Sequence, residues 1–383
     1  MAKLLWSRSF SAFLALVLPG FFLFSVAPLS AQPATAGVAY LAGSQGTDGS
    51  WQSSQVRPVL ATTEVLRALQ ALGAAPGNRA TAVSFLQAAA VEDTDDRARR
   101  LAVLAAEGQS VSALLAQLRS DADSGGGWGL TASFVADPLD TSLALTAVAP
   151  QATVGNDVLL PALSALLAAQ RSDGGWACID SSADDSEIFC TGEAVQALAP
   201  FRSRFLLTPQ LAAATSFLRG RLNADGSFGA AGSGAVIQTA EASLALVAVA
   251  ALGSEVANVI AFLQGRQQPD GSWEGDSFTT ALALRALKAL SGVPYCGDGL
   301  IDQPGEACDG AVPASLTCQS LGLGPGTLAC SAQCTLVTSG CTAAPACGDN
   351  LRNQPFEICD GTDLAAQTCK TQGFASGNLA CAT

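Results

Sequence analysis

Three carboxylates crowd into the four residues Asp93-Thr94-Asp95-Asp96. Like charges that close resist ionising together, and burial can hold one of them as a carboxylic acid able to deliver a proton. Asp140 and Glu193 each lie near the start of an expected helix and form a second pair of interest. Two such carboxyls flanking a glycosidic bond are the machinery of sugar hydrolysis. The stretch from Asp180 to Glu187 is acidic enough to hold a hard cation, and Cys178 and Cys190 flank it. The two cysteines are expected to form a disulfide that staples this long turn. Histidine is absent from the whole chain, which removes the usual general base at neutral pH and the commonest zinc ligand.

The elements that position these groups come from an internal repeat. Turns of one kind recur at Asp48-Gly49-Ser50-Trp51, Ser124-Gly125-Gly126-Gly127-Trp128, Asp173-Gly174-Gly175-Trp176, Asp225-Gly226-Ser227-Phe228 and Asp270-Gly271-Ser272-Trp273. Each sits between two Ala- and Leu-rich segments of helical length. The following segment carries a Thr or Asp with Ala six residues on: Thr62/Ala68, Asp96/Ala102, Thr141/Ala147, Thr191/Ala197, Thr239/Ala245 and Thr280/Ala286. Thr or Asp there suits a helix N-cap, so six helices are expected to start near those residues, with Asp96 capping the second. Repeat 2 has no such turn before its helix.

Gln45-x3-Gly49-x-Trp51, Gln170-x3-Gly174-x-Trp176 and Gln267-x3-Gly271-x-Trp273 resemble the QW motif of squalene-hopene cyclases and their relatives in the prenyltransferase and squalene-cyclase superfamily. The resemblance covers residues 33–292 and implies an all-α fold, an α6/α6 toroid of six helical hairpins. It also gives the acidic tetrad a sharper meaning, because Asp93-Thr94-Asp95-Asp96 resembles the D-x-D-D of class II terpene cyclases. There the middle Asp protonates an alkene or epoxide, making Asp93, Asp95 and Asp96 the candidate catalytic residues. The family's version resembles D-x-D-D-T, with Thr at the repeat's helix-cap position. With Asp96 at that position, the acid would fall on Thr94 instead. Cyclases of this class are expected to use two such domains and aromatic-lined pockets, whereas this chain offers one ring with its Trp residues in turns.

From Val293 the helical periodicity ends. Cysteines at 296, 308, 318, 330, 334 and 341 form one module (293–346). Those at 347, 359, 369 and 381 form a second (347–383), offset by 51 residues throughout. The pattern resembles the C-G-D-G…G-E-x-C-D-G repeats of exported bacterial surface proteins, with partners expected near 385 and 392 missing from the second copy. Asp298, Asp302, Glu306 and Asp309 map onto Asp349, Asn353, Glu357 and Asp360. As in related Notch-type modules these could ligate calcium, or serve as ordinary turn residues.

Lys3 and Arg8 precede an apolar run from Phe10 to Val26, the layout of a secretory signal peptide over residues 1–31. The chain carries 19 bases and 32 acids, a net charge of −13. Such acidity argues against nucleic acid and anionic lipid as partners, and no later stretch reads as a membrane span. These features together describe an exported, non-catalytic protein of the cell surface or medium that binds an apolar ligand or a surface partner. The alternative is a terpenoid-cyclase-like enzyme using the acidic tetrad. A large, partly aromatic central cavity holding Asp95 would favour the enzyme, and a plugged ring would favour binding.

Overall fold

A computed structural model describes residues 31–74, 79–179, 185–230, 233–302, 305–331, 333–342, 350, 352 and 358–381, with side chains from residue 34. Twelve α-helices alternate between an outer and an inner layer. The outer helices are α1 (Ala31–Ser44), α3 (Arg79–Ala88), α5 (Ser112–Ser120), α7 (Asn156–Ala168), α9 (Thr208–Arg219) and α11 (Val256–Gly265). The inner helices are α2 (Pro58–Ala71), α4 (Thr94–Ala106), α6 (Pro138–Val148), α8 (Ile188–Leu198), α10 (Val236–Ala248) and α12 (Ser277–Leu290). Each inner helix packs on the next, and α12 packs back on α2, so the ring closes. The first helix, α1, lies behind the last, α12, and completes its hairpin.

The repeated turn is what fastens the layers. Its Trp is fully buried, and the indole N–H donates to the carbonyl ten residues earlier, at the end of the preceding outer helix. The pairs are Trp51 to Leu41 (2.7 Å), Trp128 to Leu118 (2.6 Å), Trp176 to Leu166 (2.8 Å) and Trp273 to Leu263 (2.6 Å). The motif glutamines Gln45, Gln170 and Gln267 donate to the carbonyls of Gly49, Gly174 and Gly271 at 2.8–2.9 Å. Gly271, at φ +91°, closes the ring, since a Cβ there would lie 2.3 Å from the Ala36 carbonyl oxygen of α1. Gly49, Gly126, Gly174 and Gly226 approach α3, α7, α9 and α11 in the same way.

The repeat threonines have a different job from the expected one. Thr141, Thr191, Thr239 and Thr280 are the fourth residues of their helices, and Thr62 is the fifth. Each hydroxyl accepts the backbone N–H of its turn aromatic, as Thr191 does from Trp176 at 2.9 Å. Side-chain capping falls to an aspartate earlier: Asp93 in α4, Asp137 in α6 and Asp276 in α12. Asp96 is therefore not a cap, and Arg97 holds the threonine position of repeat 2. With no turn to bind, Arg97 instead donates to the Glu92 carbonyl (3.1 Å) and pairs with Asp121.

Beyond α12 the chain forms small disulfide-bonded loops, with bonds Cys296–Cys334, Cys308–Cys330, Cys318–Cys341 and Cys359–Cys381. The Cys308 and Cys359 bonds are the same bond one 51-residue repeat apart. Cys369, the counterpart of Cys318, is free. No helix among the described residues is long and apolar enough to cross a membrane.

Candidate functional site

The axis of the ring is filled with charge. Counting from the repeat threonine, the residues two and five places on face inward. These positions hold Glu64 and Arg67 on α2, Arg99 on α4, Glu193 and Gln196 on α8, Glu241 on α10 and Arg285 on α12. Glu64 pairs with Arg285 across the ring closure and with Arg67 at 3.3 Å. Arg99 pairs with Glu193 at 3.1 Å and with Asp95 at 2.5 Å. Glu241 accepts from Gln196. Gly192 makes room for it, since a Cβ there would come within 2.7 Å of the Glu241 side chain.

The electrostatics follow from burial and pairing. Burial raises Glu64, but Arg285 and Arg67 pull it further the other way and leave it below its ordinary value. Burial works against the charged form of Arg99, yet Asp95, Glu193 and Glu64 outweigh it and push its pKa up. Among the described residues, Glu241 has no facing guanidinium within pairing distance. Burial and the neighbouring Glu193 push it up to about 8 despite Arg285. No aromatic ring among the described residues takes part in this network. Of four cavities of about 460–520 Å³, none is lined by Glu64, Arg67, Arg99, Glu193, Glu241 or Arg285, but one is lined by Asp95 with Arg57 and Leu60, and another by Gln196.

The acidic tetrad sits at one mouth of this plug. Asp93 caps α4 by accepting the Asp96 N–H at 2.9 Å, and it also pairs with Arg57. It is largely buried rather than open to water. Repeat 2 lacks its own turn, but the loop of repeat 3 covers the gap, with Thr94 donating to the carbonyls of Leu130 (2.9 Å) and Gly129 (2.6 Å). Asp95 is partly exposed and committed to Arg99. Asp96 is buried, 3.1 Å from Arg57, with Oδ1 lacking any hydrogen-bond partner. Burial and Asp93 push Asp96 up to about 6. On α6, Asp137 caps the Asp140 N–H at 2.9 Å, and burial together with Asp137 pushes Asp140 up to about 8.

Because Arg97 holds the threonine position, Asp93-Thr94-Asp95-Asp96 stands in the register of D-x-D-D-T after all. The residue matching the middle acid is Asp95, not Thr94. The cap role makes a prediction. Asp93→Ala is expected to cost ~0.5–2 kcal/mol in chemical unfolding, and Asp95→Asn less than Asp93→Ala because Asp95 caps nothing, the Asn oxygen can still accept from Arg99, and Glu193 still pairs with that guanidinium. Equal losses would remove Asp93 from the cap.

Other candidates are not brought together. Glu193 is taken up by Arg99, and Asp140 faces Asp137, so they form no pair astride a common space. Cys178 and Cys190 are bonded, with Cα atoms 5.1 Å apart, and residues 180–184 of their loop lie outside the described residues. In the tail, Asp309 accepts the N–H groups of Gly297 and Gly299. Asp298 accepts from Leu300 at 2.8 Å, and Glu306 from Asp302 at 2.9 Å. Donors already point at these carboxylates. The two sulfurs near Glu306 and Asp309 belong to the Cys296–Cys334 disulfide. Desolvation and the neighbouring Asp298, Glu306 and Asp309 raise Asp302, so the four acids of this module lie close together. Asp349, Asn353 and Glu357 lie outside the described residues, and Asp360 is buried.

Of this network only Glu193 stands out in the sequence, and as one of a pair with Asp140. The signal was present: the +2 and +5 positions hold Glu, Arg or Gln in every repeat except that of Thr141, which has Leu143 and Thr146.

No family model matches the chain, and no curated protein matches it in sequence. Solved structures share its fold. A variant of the type II terpene cyclase MstE from Scytonema, in complex with its substrate geranylgeranyl dihydroxybenzoate, is 18% identical with a TM-score of 0.55. That match covers 68% of this chain and 97% of the cyclase chain. A protein from Actinoplanes is 20% identical with a TM-score of 0.51, covering 68% of this chain and 99% of that one. A family 76 glycoside hydrolase from a bovine Bacteroides thetaiotaomicron strain is 11% identical with a TM-score of 0.51, covering 69% and 78%. The fold is terpenoid-cyclase-like. The MstE match also corrects the expectation of two domains, since nearly all of that cyclase chain is spanned by the match.

Proposed function

We propose that this is an exported, non-catalytic binding protein, a ring presented on a disulfide-rich tail. The observation that supports this most is the ion-paired plug. The space where an isoprenoid chain would have to fold is taken by Glu64, Arg67, Arg99, Glu193, Glu241 and Arg285. An acid that protonates an alkene must also carry its proton to the substrate, whereas Asp95 spends its carboxylate accepting from Arg99. Five disulfides among the described residues fit an oxidising compartment outside the cytosol, and the N-terminal apolar run fits a cleaved signal.

The second reading, a class II cyclase, is favoured by the tetrad's register and by the buried, raised Asp96 beside it. Incubating the purified protein with geranylgeranyl dihydroxybenzoate and with geranylgeranyl diphosphate decides between them. Mass spectrometry and chromatography are expected to return only unreacted or hydrolysed prenyl chains. A cyclised product that vanishes with Asp95→Asn would establish the cyclase. Export is tested by the N-terminus of protein recovered from the medium or cell surface, expected after Ala31, since cleavage after Ala36 would remove the carbonyl that Gly271 packs against.

A further inference from the structure

The structure points to a docking surface on the ring, and we propose that it takes a cationic, amphipathic peptide segment of a partner protein. The surface is formed by the N-terminal ends of α4, α6 and α8 and the loops fastened to them. The proposal rests on the binding reading above and names the partner's chemistry.

Four large apolar side chains stand in water there: Leu130 (46% exposed), Phe134 (56%), Val135 (83%) and Ile179 (59%). They are held in place. The Leu130 and Gly129 carbonyls accept from Thr94 at the start of α4, and Asp137 N–H donates to the Trp128 carbonyl at 2.9 Å. The Cys178 carbonyl accepts from Leu139 at 3.3 Å, and its disulfide to Cys190 anchors the backbone next to Ile179. The backbone at Trp128, Gly129, Leu130, Asp137 and Cys178 is therefore fixed before a partner arrives, which favours affinity. A cleft of about 490 Å³ opens beside Val135, with Pro138, Ala165 and Leu166 in its wall and the carboxylates Asp123 and Asp137 at its edge. It has room for one apolar side chain of a docked segment.

Charge selects the occupant. Asp185 and Glu187 are exposed at the same helix ends as the apolar patch, where Arg57 is already paired with Asp93 and Asp96 and Arg171 lines the cleft. An anionic peptide or membrane would meet repulsion, whereas Lys and Arg flanking an apolar stripe would find partners. Asp96 and Asp140 lie just beneath and are held partly protonated near neutral pH, so a docked cation is expected to draw protons from them.

The test uses the mature protein and a fluorescent 18-residue helical peptide with Leu on one face and Lys and Arg on the other. Anisotropy is expected to show saturable binding, weakened tenfold or more by Phe134→Ser with Val135→Ser and by 0.5 M salt. Leu206→Ser, 95% exposed after the far end of α8, is expected to change nothing. Binding of a Glu-for-Lys peptide or of anionic vesicles as strong as that of the basic peptide overturns the proposal, as does indifference to the Phe134 and Val135 changes. Absence of peptide binding with no cyclised product sinks the docking surface alone. A cyclised product with peptide binding intact sinks the non-catalytic reading alone.

Discussion

Trp176→Ala is expected to destabilise the ring by ~3–5 kcal/mol, the range for truncating a fully buried Trp. The indole is completely enclosed, and it is bonded at both ends of the turn. Its ring N–H donates to Leu166 at the end of α7, and its backbone N–H donates to Thr191 in α8 at 2.9 Å. Truncation therefore opens a cavity between the layers and frees a helix-terminal carbonyl. Trp176→Phe separates the two losses. Repeat 5 already carries Phe228 in this position, fully buried, with the same backbone bond to Thr239. The Phe variant should then lose mainly the indole hydrogen bond and some volume, ~1–2 kcal/mol. Urea unfolding of both variants decides the matter. A loss below ~1 kcal/mol for Trp176→Ala would mean that the turn does not hold the layers together.

The contrast between Trp176 and Asp96 explains what the sequence made legible. The turn motif is local: glutamine, glycine and Trp lie within seven residues, and every bond they make can be anticipated from spacing alone. Five copies of the turn and six helix starts then imply a closed ring. Repeat 2 broke the pattern, and there the register slipped by one. Asp96 resembles a cap, and only the absent turn reveals that Arg97 has replaced the threonine. The cover over Asp93 comes from the loop of repeat 3, about 35 residues further on, so no local pattern could supply it. The central network is non-local in the same sense. Arg285 and Glu64 meet only because the ring closes, being 221 positions apart in the chain. Once closure is accepted, their inward register follows from the threonine positions, whereas their pairing does not.

Removing one partner from that network should have an effect as large as losing a Trp. Arg285→Ala leaves the buried Glu64 with Arg67 alone, and stripping a buried charge of its partner costs ~3–5 kcal/mol. The double change Glu64→Gln with Arg285→Met should cost less than the Arg285 change alone, because Glu64 then carries no charge and Arg67, the partner it gives up, is a quarter exposed to water. A larger loss in the double variant would reject this account.

The same network fixes how stability responds to pH. Glu241 faces Glu193 and Gln196 on α8, Arg285 on α12, and Glu64 and Arg67 on α2. Its folded pKa, about 8, lies above its ordinary value near 4.5, so the folded state holds the proton more tightly than the unfolded chain. Stability from this group is then complete below about pH 4.5 and falls as pH rises through 8. Asp140 and Asp96 act in the same direction, with folded values of about 8 and about 6. Asp276 works oppositely: capping bonds from Thr279 and Ser54 outweigh burial and hold it below its ordinary value, so its contribution is lost only in stronger acid. Stability should therefore peak at about pH 4.5–6 and decline toward pH 8. Glu241→Gln keeps the shape and the bond from Gln196 but cannot ionise. It should leave stability at pH 5 nearly unchanged and raise it at pH 8 by up to ~4 kcal/mol, the three pH units between the two conditions at about 1.36 kcal/mol each. Thermal or urea unfolding of both proteins across pH 4–9 measures this. A wild-type curve that rises from pH 5 to 8, or a Gln variant that is weaker at pH 8, would mean that Glu241 sits ionised in the centre, neutralised by Arg285.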